Sequence, residues 1–318
     1  MTRPPKSVLL LGATGTIGRA TFSALVAADY TVCAPVRHGS DSSDLPGAVF
    51  CDMTQDALLA LMTEHDCVAV ISCVASRSGA PEDAHAIDHG LNSLALGAAI
   101  RAGATHFVLL SAICVQKPML AFQRAKLAFE AELQAAPITW SIVRPTAYFK
   151  SLSGQMARVR AGKPFLLFGD GALTACKPIG NEDLARYLAS CLSDAQLQNR
   201  ILPIGGPGPA ITPRAQGEML FDALGRRPRF QHVPLALMSC IKAGLILGGL
   251  ASRRLRSKAE LARIGHYYAT ESMLVWDAAR GRYDADATPE FGVQTLADHY
   301  AQLAANKITD DRGAHAVF

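Results

Sequence analysis

The stretch Ser7-Val-Leu-Leu-Leu-Gly-Ala-Thr-Gly-Thr-Ile-Gly18 decides the fold. Ser7–Leu11 is rich in valine and leucine and predicts a buried strand, while Ile17–Ala28 has the apolar periodicity of a helix. The glycines between them form a G-x-x-G-x-x-G loop, close to the G-x-G-x-x-G pattern that binds dinucleotides. Glycine permits the tight turn, the approach of the backbone to pyrophosphate and close packing of helix on strand, and the free N–H groups of the helix attract phosphate. The predicted cofactor residues of this loop are Gly12, Thr14, Gly15, Thr16, Ile17 and Gly18.

Outward from this loop, short apolar runs alternate with helical segments. The further predicted strands are Thr31–Val36, Val49–Cys51, Cys67–Val74, Phe107–Ser111 and Trp140–Arg144, and the helices between them are Gln55–Glu64, Asp83–Ala102 and Leu120–Gln134. Strands that are apolar on both faces and separated by helices indicate a parallel sheet covered on both sides. We therefore predict a doubly wound α/β fold of the Rossmann type.

Past Pro145 the composition changes, because proline and glycine become frequent between the predicted helices Glu182–Leu192 and Ala215–Leu224. We expect residues 1–150 to form the dinucleotide-binding domain. Residues 151–318 are expected to form a smaller C-terminal substrate-binding lobe, joined to the first domain without a clear linker.

Composition excludes several classes of protein. Half of the 318 residues are hydrophobic and the net charge is only +4, so neither a disordered chain nor a dedicated nucleic-acid binder is expected. The eight cysteines include no C-x-x-C pair, which favours buried reduced thiols over disulfides or a metal site. The apolar run Leu235–Leu250 contains Lys242 and three glycines and is too short to span a bilayer. Without a signal or transit segment at the N-terminus, we expect a cytoplasmic protein.

The end of the second strand indicates the type of cofactor. An Asp or Glu there accepts from a free ribose 2′-hydroxyl, whereas an arginine binds a 2′-phosphate. Here the strand is followed by Arg37, with Arg19 directly after the last loop glycine, so NADPH is favoured over NADH. Asp52, at the end of the third strand, is a candidate partner for the adenine amine, although Asp52 or Thr54 could instead cap the next helix.

Lys126 lies on an apolar stripe of a predicted helix, together with Phe122 and Phe129. A lysine on a packed face either extends its ammonium to solvent or faces a polar cleft. Next to a dinucleotide site, we interpret Lys126 as a residue of the active site that either binds ribose or transfers a proton.

The glycine loop and this lysine resemble those of the short-chain dehydrogenase/reductase superfamily, whose usual pattern is Tyr-x-x-x-Lys. Phe122 stands here in place of the tyrosine, so alcohol–ketone chemistry is not expected. Longer motifs resemble an atypical branch of that superfamily, the NADPH-dependent divinyl chlorophyllide 8-vinyl reductases, which are related to the isoflavone reductases. These motifs are Leu109–Pro118, Phe122–Lys126, Ile142–Leu152, Phe168–Gly171, Cys176–Ile179, Leu202–Gly208 and Ile264–Met273.

The resemblance implies an oxidoreductase acting on CH–CH bonds, which reduces the C8 vinyl group of 3,8-divinyl chlorophyllide a or divinyl protochlorophyllide to ethyl in chlorophyll or bacteriochlorophyll biosynthesis. It places Ser111 and Pro145 in the NADPH site and implies that Lys126 is the first candidate proton donor or relay, with Tyr148 and ordered water next. The expected aromatic substrate wall comprises Phe122, Tyr148, Phe149, Phe165, Tyr267 and Tyr268, with Leu167 and Leu237–Leu250 beside it. His85 or His266 could ligate the magnesium of the substrate, although a packed or solvated histidine is favoured for each.

Two further expectations concern location and alternatives. Plant members of that family carry a transit peptide, so its absence here predicts a photosynthetic bacterium. The basic residues Arg253, Arg254, Arg256 and Lys258 follow the apolar run and could contact an anionic membrane, although a buried lobe helix is favoured. The alternative functions are a reductase of another conjugated C=C bond, as in isoflavone reductases, and a non-catalytic NADP-binding sensor or assembly factor.

Overall fold

The computed structural model describes residues 6–43, 45–249 and 252–309, with the side chains of residues 253–257 left out of the description. Seven strands form one parallel sheet in the order β3-β2-β1-β4-β5-β6-β8. They are β1 (Ser7–Leu11), β2 (Thr31–Val36), β3 (Ala48–Phe50), β4 (Cys67–Ser72), β5 (His106–Leu110), β6 (Thr139–Pro145) and β8 (Arg200–Ile204). Two small sheets complete the set, the parallel pair β7 (Phe165–Phe168) and β9 (Phe230–Val233) and the antiparallel pair β10 (Val275–Asp277) and β11 (Arg282–Asp284).

The helices between β1 and β6 are α1 (Thr16–Ala27), α2 (Gln55–Glu64), α3 (Pro81–Ala84), α4 (Asn92–Arg101) and α5 (Ala121–Ala135). A π-helical segment, His85–Leu91, joins α3 to α4, so the predicted helix 83–102 is interrupted by a wider turn. The later helices are α6 (Phe149–Leu152), α7 (Met156–Arg160), α8 (Asn181–Ser190), α9 (Pro213–Ala223), α10 (Leu235–Gly249), α11 (Arg253–Thr270) and α12 (Leu296–Ala304).

The sheet is buried on both faces, which confirms the doubly wound fold. Along β1, Val8 and Leu10 pack with Leu25 of α1 on one face, while Leu9 and Leu11 pack in a second cluster on the other. The alternation arises because successive side chains of a strand point to opposite faces. The first face is covered by α1 and α8, and the second by α2, α4 and α5.

The edge of the sheet does not coincide with the predicted division at residue 150, because β8 and α8 both come from the second half of the chain. β8 was not among the predicted strands, and it contains Pro203. The structure accommodates this proline because β8 is an edge strand with β6 as its neighbour in the sheet. Beyond this sheet, a separate cluster around Phe165, Leu220 and Tyr300 forms the core of the C-terminal lobe.

Helix α10 is exposed rather than buried, which corrects the favoured interpretation of the apolar run. It packs on α11, yet Leu237, Ile241 and Leu247 are 51%, 52% and 69% exposed. The run is apolar around the whole circumference of the helix, so its sequence does not show that only one side is covered. Leu250 lies outside the described residues. Within the described chain, no helix is both long and apolar enough to cross a bilayer.

Candidate active site

A cleft of about 1770 Å³ opens at the carboxyl ends of β1, β4, β5 and β6. The strand order reverses between β1 and β4, and a crevice at this position is where open α/β sheets bind their ligands. The glycine loop lines one end of the cleft, and Ile264 and Tyr268 of α11 line the other. One continuous space therefore joins a dinucleotide site to the C-terminal lobe.

The glycine loop has the geometry that its sequence predicts. Gly12 has φ of +76°, and a Cβ there would lie 2.8 Å from the carbonyl carbon of Cys73, so only glycine permits this turn beside β4. A Cβ on Gly18 would overlap the Gly12 carbonyl, so this position sets the close packing of α1 on the loop. Gly15 caps α1 without a side-chain hydrogen bond, and α1 has no acidic residue in its first turn. Free N–H groups and the positive end of the helix therefore face the cleft.

A smaller pocket of about 420 Å³ adjoins the loop and contains the two arginines predicted to bind the 2′-phosphate. Arg37 is exposed there, and Arg19 donates to the carbonyl oxygens of Thr14 and Asp41. Arg77, from the segment after β4, is a third arginine in the same pocket, which the sequence analysis missed. Only the parallel order of β1 and β4 brings it there, since it is 40 residues from Arg37 in the sequence.

The structure does not place Asp52 in the cleft. Asp52 is exposed after β3 and is not among the residues that line either pocket. Thr54 caps α2, because its side chain accepts from the backbone N–H of Ala57 at 3.3 Å. The alternative of a capping residue therefore holds for Thr54, and the adenine role of Asp52 stays a prediction.

Lys126 is buried on α5 and lines the cleft, as the apolar stripe predicts. Its ammonium lies 3.0 Å from Oδ1 of Asp88, whose side chain has no exposed surface. Asp88 Oδ2 is also buried and has no hydrogen-bond partner within the described part of the chain. A buried cation needs a counter-charge, and Asp88 supplies it.

Asp88 was missed because its position depends on the π-helical segment His85–Leu91. A π-turn inserts an extra residue into the helix and redirects the side chains that follow, and such turns are frequent at functional sites. The sequence signal was a single Asp among mostly apolar neighbours, which does not reveal a π-turn.

Ser111 also lines the cleft, but its hydroxyl proton is donated to another residue of the protein. Its hydroxyl donates to Oε1 of the buried Glu130 at 2.5 Å, and Glu130 in turn forms an ion pair with Arg144 of β6. Ser111 is therefore available to a ligand mainly as an acceptor. Pro145 follows at the end of β6 and lines the same part of the cleft, and Glu130 is a further residue that the sequence analysis missed.

A group of neutral side chains forms one wall of the cleft. Phe122, Tyr148 and Tyr268 line it, together with the thiols of Cys114 and Cys176. Burial raises the pKa of both tyrosines and of Cys114, and raises the pKa of Cys176 to about 12. These groups stay neutral at pH 7, so the wall suits a large, flat and mostly apolar ligand.

Two of the predicted substrate residues belong to the core instead. Phe165 is 2% exposed and packs edge-on against Phe230, because β7 pairs with β9 beneath the lobe. Tyr267 is 3% exposed, and its hydroxyl donates to the carbonyl oxygen of Cys114. Neither lines the cleft, and neither does Leu167, which is fully buried. Adjacent residues of α11 face different ways, so Tyr268 reaches the cleft while Tyr267 faces the core.

The remaining candidates lie at or beyond the margin of the cleft. Phe149 lines it but is only 4% exposed and contacts the ring of His299. His85 stacks on His89 at the surface, and His266 is within 3.2 Å of the hydroxyl of Ser239 on α10. Neither predicted magnesium ligand, His85 or His266, is among the residues that line the cleft.

Comparisons with solved structures agree with this architecture. The NADPH-dependent quinone oxidoreductase of Escherichia coli, solved with NADPH, superimposes with a TM-score of 0.68 at 18% identity, over 93% of this chain and 99% of that one. The leucoanthocyanidin reductase of Vitis vinifera also gives a TM-score of 0.68, at 14% identity and over 94% and 99% of the two chains. At these identities the likeness shows the fold.

Comparisons of sequence identify the family. Residues 12–195 match the model of an NAD(P)H-binding family. The Zea mays protein named divinyl chlorophyllide a 8-vinyl-reductase, chloroplastic, is 46% identical over 93% of this chain and 79% of its own length. The Arabidopsis thaliana protein of the same name is 44% identical over 93% and 76%. Joined to a cleft that holds the glycine loop, the paired lysine and an uncharged wall, these identities show that the chain belongs to the divinyl chlorophyllide a 8-vinyl-reductase family of NAD(P)H-binding proteins.

Proposed function

We propose that the protein reduces the C8 vinyl group of a divinyl chlorophyllide to ethyl, with NADPH as the reductant. The observation that carries this is the single cleft in which the glycine loop continues into a neutral aromatic wall. A magnesium chlorin is large, planar and mostly apolar, so it fits such a wall beside a nicotinamide. The names of the plant relatives support the same substrate class.

When bound, NADPH supplies a hydride to the terminal vinyl carbon, and a proton completes the ethyl group at the inner carbon. Negative charge that develops at the inner carbon is spread over the conjugated macrocycle, so no carbonyl oxygen needs a proton donor. Phe122 therefore suits the reaction at the position where the superfamily usually has tyrosine. Its ring is partly buried against the apolar cluster that includes Ile113 and Ile264.

The structure supports different roles for Lys126 and Tyr148. Loss of the Lys126 proton would leave the buried carboxylate of Asp88 without its counter-charge. We therefore assign Lys126 to ribose binding and to electrostatic stabilisation of the charge that develops in the substrate. Tyr148 lines the cleft, and its hydroxyl makes no hydrogen bond to the described residues, so it is the side chain we assign to proton delivery.

The preference for NADPH over NADH rests on the arginine pocket. Arg19, Arg37 and Arg77 surround a space beside the glycine loop in which an anionic group finds three guanidinium groups. The strand-end acid that accepts from a free 2′-hydroxyl is absent, since β2 is followed by Arg37 and His38.

We also propose a cytoplasmic enzyme that contacts the photosynthetic membrane through α10. The exposed face of α10 is apolar along its length, with Leu237, Ile241 and Leu247 exposed by half or more. A contiguous apolar surface of this kind is typical of a binding site. The four basic residues between 253 and 258 follow in the sequence with no acidic residue among them, which favours an anionic lipid surface as the partner.

The test is turnover of purified protein with NADPH and 3,8-divinyl chlorophyllide a. We expect a blue shift of the Soret band, a product heavier by two hydrogen atoms and one NADPH oxidised for each vinyl group. Binding of NADPH without this conversion would favour the non-catalytic sensor. Conversion of an isoflavone alone would favour the alternative reductase.

A further inference from the structure

Lys150 is a cation at the glycine loop that lies within the motif Ile142–Leu152, although the sequence motifs gave it no role. It lies in α6, directly after β6, at the start of the C-terminal lobe. Its ammonium donates to Oγ1 of Thr16 at 2.7 Å, although the two residues are 134 positions apart. Thr16 is the first residue of α1, so Lys150 reaches across the cleft to the point where the helix begins.

The described part of the chain supplies no counter-charge for this ammonium. Within the described residues, no carboxylate lies within ion-pair distance of the Lys150 ammonium, whereas the other cleft lysine, Lys126, pairs with Asp88. The first turn of α1 carries no acidic residue, and its capping residue Gly15 has no side chain to bond the free N–H groups. A helix N-terminus and a half-buried ammonium therefore face the same space, and both attract an anion.

We propose that Lys150 binds the pyrophosphate of the nicotinamide cofactor, opposite the N-terminus of α1. One N–H of its ammonium is donated to Thr16, and no other described residue accepts from it, so two N–H groups remain for phosphate oxygens. The pyrophosphate is thereby held from the sheet by the glycine loop and from the lobe by Lys150. The 2′-phosphate is held separately in the pocket of Arg19, Arg37 and Arg77. This inference rests on the cofactor of the proposed function and is independent of vinyl reduction.

The experiment uses two adenosine probes that carry their phosphates at different places. Adenosine 5′-diphosphate has the diphosphate without a 2′-phosphate, and adenosine 2′-phosphate has the reverse. By titration calorimetry, Lys150→Met should weaken binding of the diphosphate, NADH and NADPH by roughly tenfold, and change that of adenosine 2′-phosphate by less than about twofold. Arg37→Ala should instead weaken binding of adenosine 2′-phosphate and NADPH and leave binding of the diphosphate and NADH nearly unchanged. Lys150→Arg should restore most of the affinity for the diphosphate.

The matched control is Lys163→Met, because Lys163 is exposed after α7 and does not line the cleft. Lys163→Met should leave the affinities for adenosine 5′-diphosphate and adenosine 2′-phosphate unchanged. Unchanged diphosphate and NADPH binding in Lys150→Met would overturn the proposal, and a rise in KM for the chlorophyllide alone would assign Lys150 to a substrate carboxylate instead. Equal weakening of both probes would assign it a structural role. If the wild-type protein fails to reduce the vinyl group, the titrations still decide the role of Lys150.

Discussion

At the scale of single residues, the cleft holds the buried ion pair of Lys126 and Asp88 beside several neutral tyrosines and thiols. Lys126 and Asp88 are both buried and 3.0 Å apart, so each carries the cost of desolvation and each is the main partner of the other. The tyrosines and thiols around them stay neutral because burial raises the pKa of each. The buried ammonium of Lys126, held beside these neutral groups, can act on negative charge that develops nearby.

The pair should act as one unit in catalysis. Asp88→Asn leaves the ammonium without its counter-charge, and we expect kcat to fall by roughly 10- to 100-fold with less change in KM for NADPH. Lys126→Met should cost at least as much, and the double variant no more than Lys126→Met alone.

The matched control for this pair is Glu132→Gln. Glu132 lies on α5 and contacts His89 of the same π-helical segment at 3.3 Å, but it lies outside the cleft. Additive losses in the double variant, or activity of Asp88→Asn within about twofold of wild type, would contradict the coupling.

Phe122→Tyr restores the usual Tyr-x-x-x-Lys pair and tests why phenylalanine stands there. No carbonyl oxygen awaits a proton in vinyl reduction, so the added hydroxyl should give no gain in kcat. It also places a polar group against Ile113 and Ile264, which should lower stability slightly. Steady-state kinetics with divinyl chlorophyllide decide the point, and a severalfold rise in rate would show this account of Phe122 to be wrong.

At the scale of elements, Gly15 and Gly18 of the loop have different roles, in phosphate binding and in the packing of α1. Gly15→Val should abolish NADPH binding and keep the fold, because its Cβ would lie 3.3 Å from the Gly12 carbonyl oxygen while the branched side chain would reach into the phosphate site. Gly18→Val should instead destabilise the protein, because its Cβ would overlap the backbone of Gly12. Calorimetric titration with NADPH and thermal denaturation distinguish the two variants. Normal NADPH affinity in Gly15→Val would mean that the phosphates bind elsewhere.

The junction of β5 and β6 should make stability depend on pH. His106 is buried, and burial lowers its pKa to about 4. Its Nε2 lies 3.0 Å from Ser141 Oγ, which donates to Leu197 O, so the neutral ring is the donor. Between this pKa and the ordinary value near 6.5 the unfolded chain binds the extra proton, so acidification favours unfolding. From pH 7 to 5 this should remove roughly 1 to 2 kcal/mol.

Denaturant unfolding of wild type and His106→Gln at both pH values measures this effect. Glutamine keeps a donor for Ser141 and does not titrate, so its stability should change less between pH 7 and 5. Parallel losses in the two proteins would show that His106 is not responsible.

At the scale of the whole molecule, the exposed apolar face of α10 is the surface that we propose contacts the membrane. Ile241→Glu should weaken binding to phosphatidylglycerol-containing vesicles by roughly tenfold or more, because it places a charge in the apolar face and repels anionic lipid. Vesicle flotation measures this, and binding of the wild type should also fall as salt is added.

Val26→Glu is the control for α10, because Val26 is a half-exposed apolar residue on α1 outside the cleft. It should leave vesicle binding unchanged. Equal flotation of Ile241→Glu and wild type would exclude α10 as the membrane contact. A wild-type dimer that Ile241→Glu separates, seen by light scattering, would identify a second copy of the chain as the partner instead.

The sequence by itself determined the first six strands of the sheet and one end of the cleft, because both depend on local patterns. The apolar runs at β1 and β2, the three loop glycines and the stripe that buries Lys126 are each readable within a few residues. Side-chain alternation and helical periodicity then fix which face each residue takes, and these rules need no distant partner.

Only the tertiary structure decided which distant residues meet. Asp88 reaches Lys126 through a π-turn, and Lys150 meets Thr16 across 134 positions. Tyr268 lines the cleft whereas its neighbour Tyr267 is buried and bonds to the Cys114 carbonyl. Apolar character alone also did not predict burial. Phe165 is buried in the core instead of lining the cleft, whereas the apolar helix α10 is left exposed on one side. Burial and pairing of such groups depend on what the rest of the chain brings against them, and a local pattern does not contain that information.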